Sequence, residues 1–235
     1  MKFFDTLRIY TPNNQTLVSC SVLFLVTLIA LCESSSLRAQ DRLEPGVDRW
    51  AIKTSLPQRA AKKNIQLSEL LALPNPIDHE EAVYDSTRIL TPVGPHSLKE
   101  GEIVTTHGWL HLVALEDDRK THRDGDYHMQ IRTSEQWGDS CLVVEIPYGR
   151  FVPDERLARA CDSLRQFVKD HVLSGKEPGT RGNKLSHAVY VKITGQLFFD
   201  APHLSGNPRG KLNMKSYTPW ELHPVTSIEF ARNPD

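Results

Sequence analysis

The chain has 235 residues, a formal net charge of −1 and 24% charged residues. That balance excludes the basic excess behind nonspecific nucleic-acid binding, and 39% hydrophobic content excludes an intrinsically disordered chain. The length suits one globular domain with an extension.

Leu17 to Cys32, LVSCSVLFLVTLIALC, carries no charge; Lys2 and Arg8 precede it and SSSLRAQ follows. A basic start, an apolar run and a small-residue exit describe a secretory signal peptide over residues 1–39, cleaved after Ala39. The run is short for a membrane span, which takes about 20 residues. The expectation is a secreted or periplasmic protein with no mature transmembrane segment. An uncleaved signal acting as a membrane anchor is the alternative, and bulky Leu31 disfavours a lipoprotein built on Cys32. Cys141 and Cys161 lie beyond the signal, and an oxidising compartment makes them a candidate disulfide, with two buried free thiols as the alternative.

Residues 40–100 contain Pro45, Pro57, Pro74, Pro76, Pro92 and Pro95, which break helices and ladders. This segment reads as a proline-rich extension packed on the main domain. It includes one short helix, capped by Ser68 and stopped at Pro74. DRWAIKT reads as an extended piece with Trp50 buried.

From residue 101 the pattern is that of strands. EIVTTHGWLHLVAL sets Val104, Leu110, Leu112 and Ala114 on one face and His107, Trp109 and His111 on the other. In YHMQIR, Tyr127, Met129 and Ile131 oppose His128, Gln130 and Arg132. In CLVVEI, Leu142, Val144 and Ile146 oppose Cys141, Val143 and Glu145. Asp154 caps a helix whose apolar stripe is Leu157, Cys161, Leu164 and Val168, with Gly175 at its stop. HAVYVKITGQLFF follows with Val189, Val191 and Ile193 inward. WELHPVTSIEF ends the series with Leu222, Thr226, Ile228 and Phe230 inward. The order β-β-β-α-β-β over residues 101–235 predicts an all-β fold with one main helix, a five-stranded OB-like barrel; an open α+β sheet is the alternative.

The stretch DGDYH poses the functional question. Asp124-Gly125 is a turn dipeptide, and the run lacks the later ligands of an EF-hand loop. Hairpin parity puts His128 and Glu145 on one outward surface, together with His107, Trp109, His111 and Arg132; Glu221 and His223 also alternate outward. Two imidazoles and a carboxylate on neighbouring strands can hold zinc, so His128, Glu145 and His223 form a candidate metal set, with His111 a further candidate ligand. No cofactor is otherwise expected, and no nucleophile-elbow, phosphate-loop or zincin motif is present.

OB barrels take extended ligands between two loops. Here the first loop carries Arg119, Lys120, His122 and Arg123, and the second His203, Arg209, Lys211, Lys215, Tyr217 and Trp220. Cations beside rings suit an anionic polymer, bases or sugars. The candidate ligand-binding residues are Asp126, His128, Glu145, His203, Arg209, Lys211, Trp220, Glu221 and His223. The expected function is a noncatalytic binding or envelope protein whose ligand is a protein, a glycan or an anionic polymer; a metal-dependent hydrolase is the alternative.

Two resemblances add to this. To secreted nucleases of the staphylococcal type the chain is similar in D-G-D alone, which would touch Asp126 and Glu145; their arginine-bearing strand and D-x-P-E signature are missing. Over residues 47–231, DGDYH, ITGQLFFDAPH and WELHPV resemble a family of uncharacterised bacterial secreted proteins with D-G-D-Y-H, G-x-x-F-F-D-x-x-H and E-L-H-P-V motifs. Matching positions are Asp124, Asp126, His128, Asp200, His203, Glu221, His223 and Pro224. The family's short link is replaced here by LSGNPRGKLNMKSYTPW, and the resemblance implies candidate residues but no chemistry.

Overall fold

The computed structural model describes residues 49–77, 87–116, 124–201 and 208–233. All of them fall in one compact unit, Pro45–Asp235. The expected signal peptide, the cations of the first loop and His203 lie outside the described residues. Among the described residues no helix is long and apolar enough to cross a membrane.

The elements in chain order are α1 (Trp50–Lys53), β1 (Lys62–Asn64), α2 (Leu67–Leu71), β2 (Ile103–Leu115), β3 (Tyr127–Arg132), β4 (Leu142–Ile146), α3 (Glu155–His171), β5 (Asn183–Phe199) and β6 (Trp220–Phe230). The sheet order is β1-β2-β3-β4-β6-β5, and β2 also pairs β5. That second pairing closes β2 to β6 into a five-stranded barrel, with β1 added as an extra strand parallel to β2. β4 and β6 run parallel, and the other barrel pairs are antiparallel. The architecture is the OB-like barrel expected from the element order.

Alternation decides the inside. Met129, Ile131, Leu142, Val144, Val191, Ile193, Leu197 and Leu222 join one apolar core. α3 closes it with Leu157, Cys161 and Val168, its buried stripe. The helix starts where Asp154 accepts a hydrogen bond from Leu157 N at 2.8 Å, which satisfies a backbone donor that has no partner within the helix.

Register shifts in β2 and in the β5–β6 pairing correct the expected parity. β2 shifts register between Leu110 and Leu112. Leu112 then pairs Gln130 and Ala114 pairs His128, so both lie on the outer face, while Val113 joins the core. A bulge inserts one residue and reverses the alternation beyond it. β6 likewise pairs Ser227 with Thr194 and Val225 with Gly195, so Val225 replaces Thr226 in the core. Phe230 is 51% exposed and rests on Phe167 of α3 rather than inside the barrel. Gly195 permits this crowded crossing, since a Cβ there would lie 3.0 Å from Leu222 Cβ and 3.1 Å from the Pro224 carbonyl oxygen.

The extension packs on the barrel, burying Ile52, Ile65, Leu67, Leu70, Leu73, Ile89, Val93 and Leu98. DRWAIKT is helical at Trp50–Lys53, not extended, and Trp50 is half-buried, edge-on to Phe151. The short helix begins at Leu67, where Glu69 receives the Gln66 backbone N–H at 3.1 Å, so Ser68 is not its cap. The candidate disulfide is absent. Cys141 and Cys161 are free and buried, because Cys161 faces the core from α3 while Cys141 lies against Gln130 on the opposite face of the sheet.

Ile131 is fully buried. Ile131→Ala is expected to lower unfolding free energy by about 2–5 kcal/mol through lost burial and a residual cavity. Asp154→Ala, which removes only the cap, is expected to cost about 1 kcal/mol. Urea denaturation of both variants measures the contrast.

Candidate functional site

The outer face of β2, β3, β4 and β6 carries polar side chains that the barrel core leaves outward. They are nonetheless covered. His128 is 4% exposed, Glu145 3%, and Asp126, Glu221 and His223 0%. The expectation of outward-pointing groups holds for the barrel wall and fails for solvent. α1 and the segment before β6 lie over them: Gln196 donates to the Ile52 carbonyl at 3.1 Å, and Gln130 donates to the Met214 carbonyl at 2.8 Å.

Glu145 is the centre. Register pairs it directly with His128. Its Oε1 lies 2.7 Å from His128 Nδ1, and its Oε2 lies 3.0 Å from His223 Nδ1. His128 Nδ1 is also 3.2 Å from Glu116 Oε1 at the rim of the cluster, where the Glu116 side chain is 33% exposed.

The other ring nitrogen of His128, Nε2, faces Gln130 Oε1 at 3.3 Å. Gln130 is oriented by its amide donating to Met214 and by its oxygen accepting the Lys211 backbone N–H at 2.7 Å. Both His128 nitrogens therefore face acceptors, which is the pattern of an imidazolium. Burial opposes that charge, but hydrogen bonds to Glu116 and Glu145 prevail and lift the pKa to about 9. Burial likewise raises Glu145, and its bonds to both histidines outweigh this and hold it well below the ordinary value.

His223 Nδ1 also lies 3.2 Å from Glu221 Oε1. Its Nε2 lies 3.4 Å from Asp126 Oδ2, yet neither atom has a hydrogen-bond partner among the described residues. Asp126 Oδ1 accepts the Tyr148 backbone N–H at 2.9 Å. Burial opposes protonation of His223, and the carboxylates packed around it, Asp126, Glu145 and Glu221, raise its pKa well above the ordinary imidazole value. Next to Asp126, whose backbone N–H it accepts at 3.3 Å, Asp124 is pushed up to about 8 by burial and the charge of Asp126.

Cations complete the cluster. Arg209 bridges Asp200 and Glu221, the latter at 2.6 Å. Lys53 is buried over the Phe198 ring at 5.8 Å; burial lowers its pKa, and Asp200, Glu145 and Glu221 more than restore it. Lys211 Nζ is 3.4 Å from Glu116.

The face has a second, open end. Trp109 packs on Tyr190 at 5.1 Å, His107 stacks on Tyr190 at 6.2 Å, and Lys184 Nζ lies 4.2 Å over Trp137. His107 is exposed and the three larger rings are half-buried.

The sequence-predicted residues thus separate. Asp126, His128, Glu145, Arg209, Glu221 and His223 converge, with Lys211 at the margin. His111 does not join them: it sits at the bulge and bonds the Ser134 carbonyl at 2.8 Å. Trp220 is wholly buried in the core and donates to the Pro74 carbonyl at 2.8 Å, so it is no stacking surface. Sequence reasoning missed Lys53, Glu116, Gln130 and, as a partner of Arg209, Asp200. Gln130 shares the outward parity of His128 and was legible on that ground; Lys53 carries no local signal.

Two outcomes are expected. Arg209→Ala leaves Asp200 and Glu221 buried without their shared cation and should cost about 3–5 kcal/mol in urea denaturation. His128 and Asp124 both bind protons more tightly folded than unfolded. Stability from His128 is complete below its ordinary pKa of 6.5 and is lost as pH rises through about 9. Asp124 acts in the same direction between 3.8 and about 8. The urea midpoint in chelator should therefore fall from pH 6 to pH 9.5, with a shallower fall in His128→Gln. Scanning the chain against protein-family models and searching it against curated proteins returned no match.

Proposed function

We propose that the protein is a noncatalytic binding protein that takes an acidic glycan along the outer face of β2 and β5. The observation that carries this reading is the partly exposed ring group of His107, Trp109 and Tyr190, with Trp137 set against His111 and Lys184 over its ring. Sugar rings bury C–H surface against aromatic faces, and nearby cations pair with carboxylate or sulfate groups. Arg132 and Lys192 add charge on the same face, since Arg132 pairs Trp109 in register and Lys192 pairs His107. The rings of His107, Trp109 and Tyr190 lie on the first and fourth barrel strands, beside the second and third strands that OB barrels ordinarily offer to extended ligands. A net charge of −1 leaves nonspecific electrostatics little part in the binding. A secreted or periplasmic location suits such a ligand.

Among the described loop cations, Arg209 is enclosed by Asp200 and Glu221 and Lys211 lies 3.4 Å from Glu116, so neither is free to grip a polyanion. A hydrolase needs its water-activating groups to reach a substrate. Asp126, Glu145 and His223 are at most 3% exposed, so turnover is the reading less supported.

Full-length protein should be retained on immobilised alginate at low salt. Trp109→Ala and Tyr190→Ala should each weaken retention by roughly tenfold, and Lys184→Glu should reduce its salt sensitivity. No retention of the wild type, or unchanged retention of both ring variants, removes the glycan reading. Tighter capture of a single-stranded oligonucleotide would replace it.

A further inference from the structure

We propose that the covered end of the same face holds one divalent ion of the zinc type between Asp126 and His223, with Glu145 beside them. This is independent of the glycan reading, since it concerns groups that a polymer on the open end does not touch. Three observations carry it.

The first is the pair of orphaned atoms. Asp126 Oδ2 and His223 Nε2 are buried without a hydrogen-bond partner among the described residues, and of the other atoms in the cluster Arg209 Nε alone shares that state. Native structures rarely leave such atoms unpaired, and an ion that binds both accounts for them together. The second is their separation of 3.4 Å. Two ligands at roughly 2.1 Å from a tetrahedral ion lie about 3.4 Å apart. The third is the setting of the imidazole. Its Nδ1 is held by Glu145 and Glu221 at 3.0 and 3.2 Å. A metal-bound histidine typically gives its second ring N–H to a carboxylate, which fixes the tautomer and points the free lone pair at the ion. Here that arrangement aims Nε2 at Asp126.

Asp126, Glu145 and His223 offer ligand atoms all within 4.8 Å of one another, and with both Glu145 oxygens turned to imidazole nitrogens, Glu145 orients the histidine while water would complete the ion's coordination. A neighbouring trio, Glu116, His128 and Glu145, is equally compact, but His128 has both nitrogens engaged, one by carboxylates and one by Gln130. An imidazole with carboxylates favours zinc or a like transition metal over calcium or magnesium.

The test uses chelator-stripped full-length protein titrated with zinc in a calorimeter and with cobalt(II) in a visible spectrometer. One zinc per chain is expected, with cobalt bands typical of a nitrogen–oxygen site. Asp126→Asn and His223→Gln should each weaken zinc at least about 100-fold, beyond what changes around a ligand cost. Zinc should raise the melting temperature of the wild type and not that of Asp126→Asn. Should His223→Gln fail to fold, the near-isosteric Asp126→Asn decides. Folded wild type that takes up no zinc, or Asp126→Asn that binds as tightly, overturns the proposal. So does loss of zinc in His128→Gln with retention in Asp126→Asn, because the ion would then sit in the other trio.

Discussion

Glu145 sits 3% exposed between two imidazoles, and compensating that buried charge organises much of the molecule. A carboxylate removed from water costs several kcal/mol unless partners replace its hydration. The partners come from distant parts of the chain: His128 from β3 and His223 from β6 in direct contact, and Arg209 from the segment before β6 and Lys53 from α1 through longer-range charge. None of these elements can leave without stranding charge on another. The extension is therefore a working part of the fold rather than an appendage.

A second buried pair fastens the same cover. Arg49 meets both oxygens of Glu100 at 2.6 and 2.7 Å and donates to the Phe199 carbonyl at 3.0 Å. Glu100 also accepts the backbone N–H groups of Ile89 and Phe199. A bidentate pair with its remaining acceptor positions filled is the geometry in which a buried ion pair is tolerated. It ties both parts of the extension to the end of β5, and Arg49 and Lys53 lie over the ring of Phe198. The apolar barrel core supplies the rigid wall, and this cover turns its polar outer side into a low-dielectric chamber. The bulge at His111 separates that chamber from the ring-bearing end that stays open, so one face carries a charged interior and an accessible surface.

How far the sequence could be read depended on the range of the interaction. The His128–Glu145 contact was legible because hairpin parity is local: a turn near Gln136 fixes which positions oppose. Strict alternation points Leu112 and Ala114 inward because it carries no sign of an inserted residue, and the register shift of β2 reverses it. Trp220 looked like a loop aromatic beside cations, whereas β6 begins at that residue and turns it inward. Cys141 and Cys161 looked pairable from compartment alone, and opposite sides of one sheet keep them apart. Lys53 had no signal, since its partners lie far along the chain.

By itself the sequence determined the alternation of β3, β4 and β5, the helix with its Asp154 cap, the order of elements that closes an OB-like barrel, and the set of imidazoles and carboxylates that cannot join an apolar core. These follow from nearest neighbours and from the period of each element. Only the tertiary structure decided that the outward polar set is roofed over, that Asp126 and His223 face one another without a bond, and that Trp109 and Tyr190 stay partly exposed. Burial is settled by which distant segment lies on top, and the balance of desolvation against long-range charge pairing that selects this segment has no local period to read.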